Sequence, residues 1–285
     1  MPIDISSTPS NHRLQQLHVS SWRRAAESLF GGIVLTRHLP ATAGGAPVAI
    51  SGKVGGLKYV FKRASKWDPP LLDIAARLVQ DGSVVWDIGA NVGLFASAAA
   101  FHAGANGKVL AIEADNDAVA LLNRTCLMRP NGHAPITVLP VAVAADCGFV
   151  RFDIAARARA SNALAGFGNT QMGGVKESRT LPCVTLDELL RRFSAPDVLK
   201  IDVEGAETEI MRGANDVLDK ARPVIYCEVQ DGTMPVIAEM LALRNYHLWD
   251  GDKFDGTSNQ PLSSDTCNLL AIPQEKSEHC ANRTR

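Results

Sequence analysis

An α/β fold built on a mostly parallel sheet is what this sequence predicts, and three observations carry the prediction. From Ser83 onward, apolar runs of strand length alternate with segments of helix length, the pattern of repeated βα units whose sheet is covered by helices on both faces. The first of these strands ends in a glycine-bearing turn, Asp87-Ile88-Gly89-Ala90-Asn91-Val92-Gly93, that opens directly into a helix-compatible run. The chain of 285 residues, 46% hydrophobic and 21% charged, can bury a full core without disulfide or metal staples, so one principal domain with an appended element is expected.

Taken in order, residues 1–12 are polar and unpatterned and are expected to be loosely ordered. Residues 13–80 read as an N-terminal cap. A helical stretch carries Leu14, Leu17, Trp22 and Leu29, and two short strands at 47–50 and 57–61 flank a turn through Gly52, Gly55 and Gly56. After Pro69-Pro70, a helix places Leu71, Leu72, Ala75, Leu78 and Val79 on one face and stops at Gly82. The main domain spans 81–272, with strands expected at 83–88, 108–112, 136–139, 198–201, 224–229, 247–249 and 267–272 and helices after the first, second, fourth and fifth. Residues 273–285 are again polar and are expected to form a loosely ordered tail.

The stretch from Val141 to Pro196 is too long for a simple βα connection. It holds an RFDI run, a segment rich in Gly and Asn around Ser161-Asn162, and then LPCVTLDELL, where Thr185 and Glu188 have the spacing of a capping box. Ligands of open α/β sheets bind at the carboxyl ends of the strands. An insertion of this length at that edge is expected to serve substrate recognition or to act as a lid.

With 29 Lys+Arg against 30 Asp+Glu and a formal charge of -1, the chain lacks the basic excess of a protein that neutralises nucleic-acid phosphates. A small or neutral substrate is expected instead. No signal-like apolar stretch opens the sequence, and its longest candidate, LFASAAAF at 94–101, is too short to cross a bilayer. No membrane span is therefore expected, and the localisation reads as cytoplasmic, where the Asn-Arg-Thr sequons at Asn123 and Asn282 meet no glycosylation machinery. Six cysteines, Cys126, Cys147, Cys183, Cys227, Cys267 and Cys280, form no C-x-x-C pair and read as buried reduced thiols.

The chemistry is written in the turn after the first strand. Glycines let the backbone come close to a ligand, and the following helix offers unpaired N–H groups. The dinucleotide fingerprint G-x-G-x-x-G is broken, because Asn91 stands at the second glycine position and Leu94 at the third. Glu113 follows Gly89 by 24 residues, at the end of the second strand, where an acid can accept both ribose hydroxyls. A ribose acid without the pyrophosphate turn points to a nucleoside cofactor that lacks a diphosphate.

These elements resemble motif I and the acidic loop of class I S-adenosylmethionine-dependent methyltransferases. The run Lys200-Ile201-Asp202-Val203-Glu204-Gly205-Ala206-Glu207, with Ile225-Tyr226-Cys227-Glu228 after it, is similar to the hallmark of the FkbM family. The likeness covers roughly residues 65–250. It departs at Asn116, where a proline is usual, and at Trp67-Asp68-Pro69, where a Tyr/Phe-Glu pair is more familiar.

The resemblance implies a Rossmann-like class I methyltransferase fold with a seven-stranded, mostly parallel sheet. It implies S-adenosyl-L-methionine bound by Asp87, Gly89, Asn91, Gly93 and Glu113, with backbone at Val141 and Ala142 near the adenine. It also implies O-methylation of a hydroxyl on a sugar, glycoconjugate or secondary metabolite. Methyl transfer to an alcohol needs a group that removes the hydroxyl proton. Asp202, Glu204 and Glu228 form the candidate acidic cluster for that work, and a divalent metal such as magnesium is a second use of the same acids, without a D-x-D-x-D spacing behind it.

Residue by residue, other roles stand beside these. Asp87 could anchor the strand end, Asn91 could serve only as a left-handed turn former, and Asp202 and Glu204 could cap the helix that follows. Glu207 reads as a surface or packing residue, and His102, His133 and His247 as structural rather than as alternative bases. Two other classes share features with this reading. An NAD-dependent oxidoreductase would share the sheet and Glu113 but wants glycine at Asn91, and a catalytically silent S-adenosylmethionine-binding module would bind without turnover.

Overall fold

The computed structural model describes residues 33–52, 54, 67–155, 162–166, 174–229, 232–254, 262–263 and 266–281. The expected helix around Leu14 to Leu29 and the strand at 57–61 lie outside them. Strands β1 (Val34–His38) and β2 (Pro47–Ser51) form an antiparallel pair, so the expected 47–50 strand exists, with the chain before it as its partner. Helix α1 (Pro69–Leu78) follows and buries Leu72, Ile74, Ala75 and Leu78.

The central sheet then takes shape from β3 (Val84–Ile88), β4 (Lys108–Ile112), β5 (Ile136–Leu139), β10 (Val198–Ile201), β11 (Val224–Glu228), β12 (Tyr246–Asp250) and β13 (Asn268–Pro273). Its order is β12-β13-β11-β10-β3-β4-β5. The strands from β11 to β5 pair in parallel, and β13 runs antiparallel between β11 and β12. Helices α2 (Leu94–Ala103), α3 (Asn116–Leu127), α4 (Leu186–Arg192), α5 (Glu207–Arg212) and α6 (Met234–Ala242) make the connections.

Side chains alternate strictly across this sheet. Val85, Val109 and Val198 pack with α1, α2 and α3, while Trp86, Ile88, Leu110, Ile112, Leu199 and Ile201 pack with α4, α5 and α6. Both faces are thus covered, which is why the strands read as near-continuous apolar runs.

The long insertion is a second sheet of order β6-β9-β7-β8, made of β6 (Ala142–Val143), β7 (Gly148–Ala155), β8 (Ala163–Leu164) and β9 (Val175–Val184). Thr185 caps α4 by accepting from the Glu188 N–H at 3.0 Å, whereas the Glu188 carboxylate is held by Arg191 and Arg192.

Two expectations are corrected. The stretch from Pro273, expected to be loose, carries helix α7 (Gln274–Ala281), tied down by an ion pair between Arg222 and Glu275 and by Lys276 Nζ donating to the Arg222 carbonyl at 2.6 Å. The cysteines are not uniformly buried: Cys183 and Cys227 are, Cys126 is half-buried, and Cys147 and Cys267 are exposed, all as free thiols. Among the described residues no helix is long and apolar enough to cross a membrane.

Candidate active site

A cavity of about 310 Å³ opens at the C-terminal ends of β3, β4, β10 and β11, within the range of roughly 300–1,000 Å³ usual for small-molecule sites. Gly89, Asn91, Glu113, Val141, Ala142, Asp202, Glu204 and Glu228 all line it. Asp87 and Gly93 stand behind the wall rather than on it.

The floor follows from strand register. In the parallel ladder Lys200 lies opposite both Asp87 and Tyr226, and period-two alternation sends all three to the α2 side of the sheet. Lys200, 3% exposed, places its ammonium 3.1 Å from Asp87 Oδ1 and 3.1 Å from Asp202 Oδ2, and donates to the Gly89 carbonyl at 3.1 Å. Burial by itself would lower the pKa of Lys200, yet the Asp202 and Asp87 charges raise it above the ordinary lysine value. Burial raises that of Asp87 while Lys200 pulls it back. This lysine, quoted in the K-I-D-V-E-G run without a role, ties the glycine turn, β3 and the acidic cluster into one unit.

The turn itself needs its glycine for a reason that sequence cannot show. Gly89 has φ +76°, and a Cβ added there would lie 1.9 Å from the backbone oxygen of Asp202. The close approach is therefore to β10, inside the protein. Asn91 takes a left-handed φ of 51°, as a turn former should, and its buried Oδ1 has no hydrogen-bond partner among the described residues.

Glu113 closes the opposite wall. Its two carboxylate oxygens accept from the Asn91 and Asp115 amides, each at 2.7 Å, which fixes the group and leaves a second lone pair on each oxygen. Burial raises its pKa to about 7 in spite of those two bonds. Next to it, Asp115 caps α3 through the Asp117 N–H and accepts from Asn162 Nδ2 at 2.8 Å, while Asn162 Oδ1 accepts from Ala155 N at 2.8 Å. Asn162, Phe152 and Leu164 of the insertion line the same cavity, so the second sheet is pinned to this edge by a buried polar pair. Ser161 lies outside the described residues.

At the β10–β11 edge three acids face one another. Glu228 hydrogen-bonds Asp202, and that bond, burial and the charges of Asp202 and Glu204 raise its pKa well above the usual carboxylate range. Glu204 sits at a left-handed φ of 56°, an uncommon state for a long side chain and of the kind that gathers at functional sites. Burial first, then the Asp202 and Glu207 charges, raise its pKa to about 7. Glu207, expected as a surface or packing residue, is 1% exposed and accepts from the Gly205 N–H at 2.7 Å. Asp68, at φ 42°, also lines the cavity.

His102 and His133 pack around Phe101, with ring centroids 4.9 Å and 5.3 Å from it, and His247 packs on Trp249. None of the three lines the cavity. Among the described residues no group of three or more His, Cys, Asp or Glu side chains is arranged to hold a metal ion, so the magnesium option gains no support.

The sequence matches the Methyltransferase FkbM domain over residues 87–248, more than half of the chain. The chain belongs to the FkbM methyltransferase family. The matching model is that of a methyltransferase domain, not of a nicotinamide-dependent oxidoreductase. A curated relative, the hexuronic acid methyltransferase AglP of Haloferax volcanii, is 28% identical over 160 residues, or 55% of this chain. This chain covers 59% of the length of that relative. Among solved structures, a Methyltransferase FkbM from Methylobacillus flagellatus KT is similar with a TM-score of 0.45 and 15% identity, covering 67% of this chain and 43% of that one. Fibrillarin from Aeropyrum pernix, solved with natively bound S-adenosyl-L-methionine, has a TM-score of 0.43 and 13% identity, with coverages of 80% and 89%.

Proposed function

We propose that this FkbM-family protein moves the methyl group of S-adenosylmethionine onto a hydroxyl of a sugar or sugar-bearing molecule, with Glu204 as the proton acceptor. The observation that carries the reading is the division of labour inside one cavity, between a ribose-type carboxylate at Glu113 and an acid cluster at Asp202, Glu204 and Glu228. The residues fit the donor. Glu113 has lone pairs free for two ribose hydroxyls, the backbone at Gly89 to Asn91 faces the cavity, and Val141, Ala142, Phe152 and Leu164 offer an apolar wall to a planar base. When bound, the donor supplies an electrophilic methyl group.

The three acids differ in what they can do. Asp202 is committed to Lys200 at 3.1 Å and to its bond with Glu228, so it is a poor base and a good anchor. Glu228 gives its one O–H to Asp202 and so holds Asp202 in place, with its other oxygen able only to accept from the acceptor hydroxyl. Glu204 has the proton affinity a general base needs near neutral pH. The sugar acceptor finds support in the hexuronic acid named for the relative, and the insertion sheet that lines the cavity is the element proposed to select it.

The deciding experiment is transfer of labelled methyl from S-adenosylmethionine to a panel of hexosides, hexuronic acids and hydroxylated macrocycles, scored by mass and by the bond formed. An O-linked methyl on a sugar supports the reading. Transfer only to nitrogen or carbon, or only to acceptors without sugar, overturns it.

A further inference from the structure

Six carboxylates, those of Asp68, Glu113, Asp115, Asp202, Glu204 and Glu228, line one small cavity, and among the described residues Lys200 is the single cation that lines it. Lys200 is already engaged by two acids, one of them Asp87 behind the wall. From the insertion, Arg179 reaches Asp115 at 3.6 Å, and from α5, Glu207 adds a further acid behind Glu204. In about 310 Å³, any charge on a bound molecule lies close to all of these groups, screened far less than it would be in water. The wall is therefore tuned to a positive charge.

We infer that this wall reads the charge of the methyl donor: it favours S-adenosylmethionine over S-adenosylhomocysteine increasingly as its acids ionise, and it takes up one proton when the positive charge disappears. The inference rests on the donor assigned above and extends it to selectivity and product release.

The balance of the reaction supports it. As the acceptor oxygen forms its bond to carbon, the C–S bond breaks with its electron pair left on sulfur, and the hydroxyl proton passes to a wall carboxylate. The cavity loses one positive charge on sulfur and gains one proton, so its net charge is unchanged. Glu204 is where that proton fits, because the hydrogen-bonded Asp202–Glu228 pair beside it already holds one. While the donor is cationic Glu204 is held ionised and ready to accept. Once it is a neutral thioether Glu204 holds the proton, and the charge attraction that favoured the cationic ligand is gone.

The two ligands share adenosine, amine and carboxylate and differ in one charge, so their affinity ratio isolates the effect. The test is calorimetric titration of the full chain with each ligand at pH 6, 7 and 8, in two buffers of different ionisation enthalpy to count protons. S-adenosylmethionine is expected to release more protons on binding. The ratio of affinities is expected to rise by up to about tenfold from pH 6 to pH 8, the span over which a group titrating near 7 goes from mostly protonated to mostly ionised. Glu204→Gln should flatten that rise, and Glu113→Gln, which removes another wall acid raised to about 7, should weaken both ligands through the lost ribose contact and flatten the rise in part. A pH-independent ratio, or equal proton release by the two ligands, overturns the inference and leaves the donor assignment standing. Failure of both ligands to bind overturns the donor assignment, and this inference with it.

Discussion

At the β4 edge of the cavity a carboxylate is held by backbone, and at the β10–β11 edge carboxylates are held by one another. Glu113 receives two amide hydrogen bonds of 2.7 Å and has Asp115 as its nearest like charge. Among the described residues Glu204 receives no such support and faces Asp202 and Glu207, while Glu228 hydrogen-bonds Asp202. Both Glu113 and Glu204 come out near 7, one against its hydrogen bonds and the other with its neighbours' help. The difference teaches how one cavity can hold two kinds of acid. Amides aim lone pairs at a ligand and fix geometry, whereas like charges leave a group mobile in protonation, and proton transfer needs the second.

The largest way to break this arrangement is to remove the cation beneath it. Lys200→Met leaves Asp87, fully buried, without its countercharge and removes the ammonium from beside Asp202, and breaking a buried pair from one side costs about 3–5 kcal/mol. Urea unfolding should show a loss of that order, with much of it returned in the double variant Lys200→Met with Asp87→Asn. A loss below about 1 kcal/mol in the single variant would mean that the Asp87–Lys200–Asp202 chain does not hold β3 and β10 together.

The second prediction concerns the acid cluster alone. Glu204→Gln should lower the rate of methyl transfer by about 10²- to 10⁴-fold, the range for a lost general base, with donor affinity changed far less. In the unaltered protein, activity should climb as pH rises through about 7, because the base works only when ionised. The same group carries a stability signature of opposite sense. Its folded pKa lies above the ordinary 4.5, so its contribution is fully present below 4.5 and is lost as pH rises through 7. The ligand-free protein should thus soften over that window, and Glu204→Gln should remove part of the slope in thermal melts. An unchanged pH–rate profile in the variant would move the base elsewhere in the cluster.

Asn162→Ala tests the seam between the two sheets with a smaller expected effect. The substitution removes the Asn162 hydrogen bond to Asp115 and strands the Ala155 N–H in buried surroundings, a cost of about 1–3 kcal/mol in stability. Because Asn162 touches the Glu113 side of the cavity and not the acid cluster, donor affinity should fall more than turnover at saturating donor. A loss confined to turnover would place the insertion's influence on the acceptor instead.

How much of this was legible in sequence follows from which residues act alone and which act in pairs. The strands and their order of appearance were readable because both sheet faces are buried, so Val84 to Ile88 or Val198 to Ile201 announce themselves as apolar runs. Glu113, Asp202, Glu204 and Glu228 were readable because strand ends converge on one edge. Lys200 was not, since a lysine within an apolar strand gains its meaning from Asp87 across the ladder, 113 residues earlier in the chain, and register is not written in either strand. The need for glycine at Gly89 was visible, but its cause, the Asp202 carbonyl 1.9 Å from a would-be Cβ, is again a contact between distant segments. The sheet of the insertion escaped because β7 and β9 are exposed over much of their length, so no clean alternation marked them.

The smallest expected effect lies farthest from the cavity, in the tail that composition alone marked as loose. Arg222 pulls the Glu275 carboxyl down to about 2 from its ordinary 4.5, so the pairing contributes fully above 4.5 and is lost as pH falls through 2. Glu275 is half exposed, with 51% of its side chain accessible, and solvent screening holds the gain to a few tenths of a kcal/mol. Global melting will hardly register it, but α7 itself should, because a short terminal helix opens on its own. Amide exchange across residues 274–281, corrected for the intrinsic rate at each pH, should quicken between pH 5 and pH 2.5 in the unaltered protein and should be fast throughout in Arg222→Gln. Equal protection in the two would show that the Lys276 bond to the Arg222 carbonyl and packing on β12 and β13 hold the helix without the ion pair.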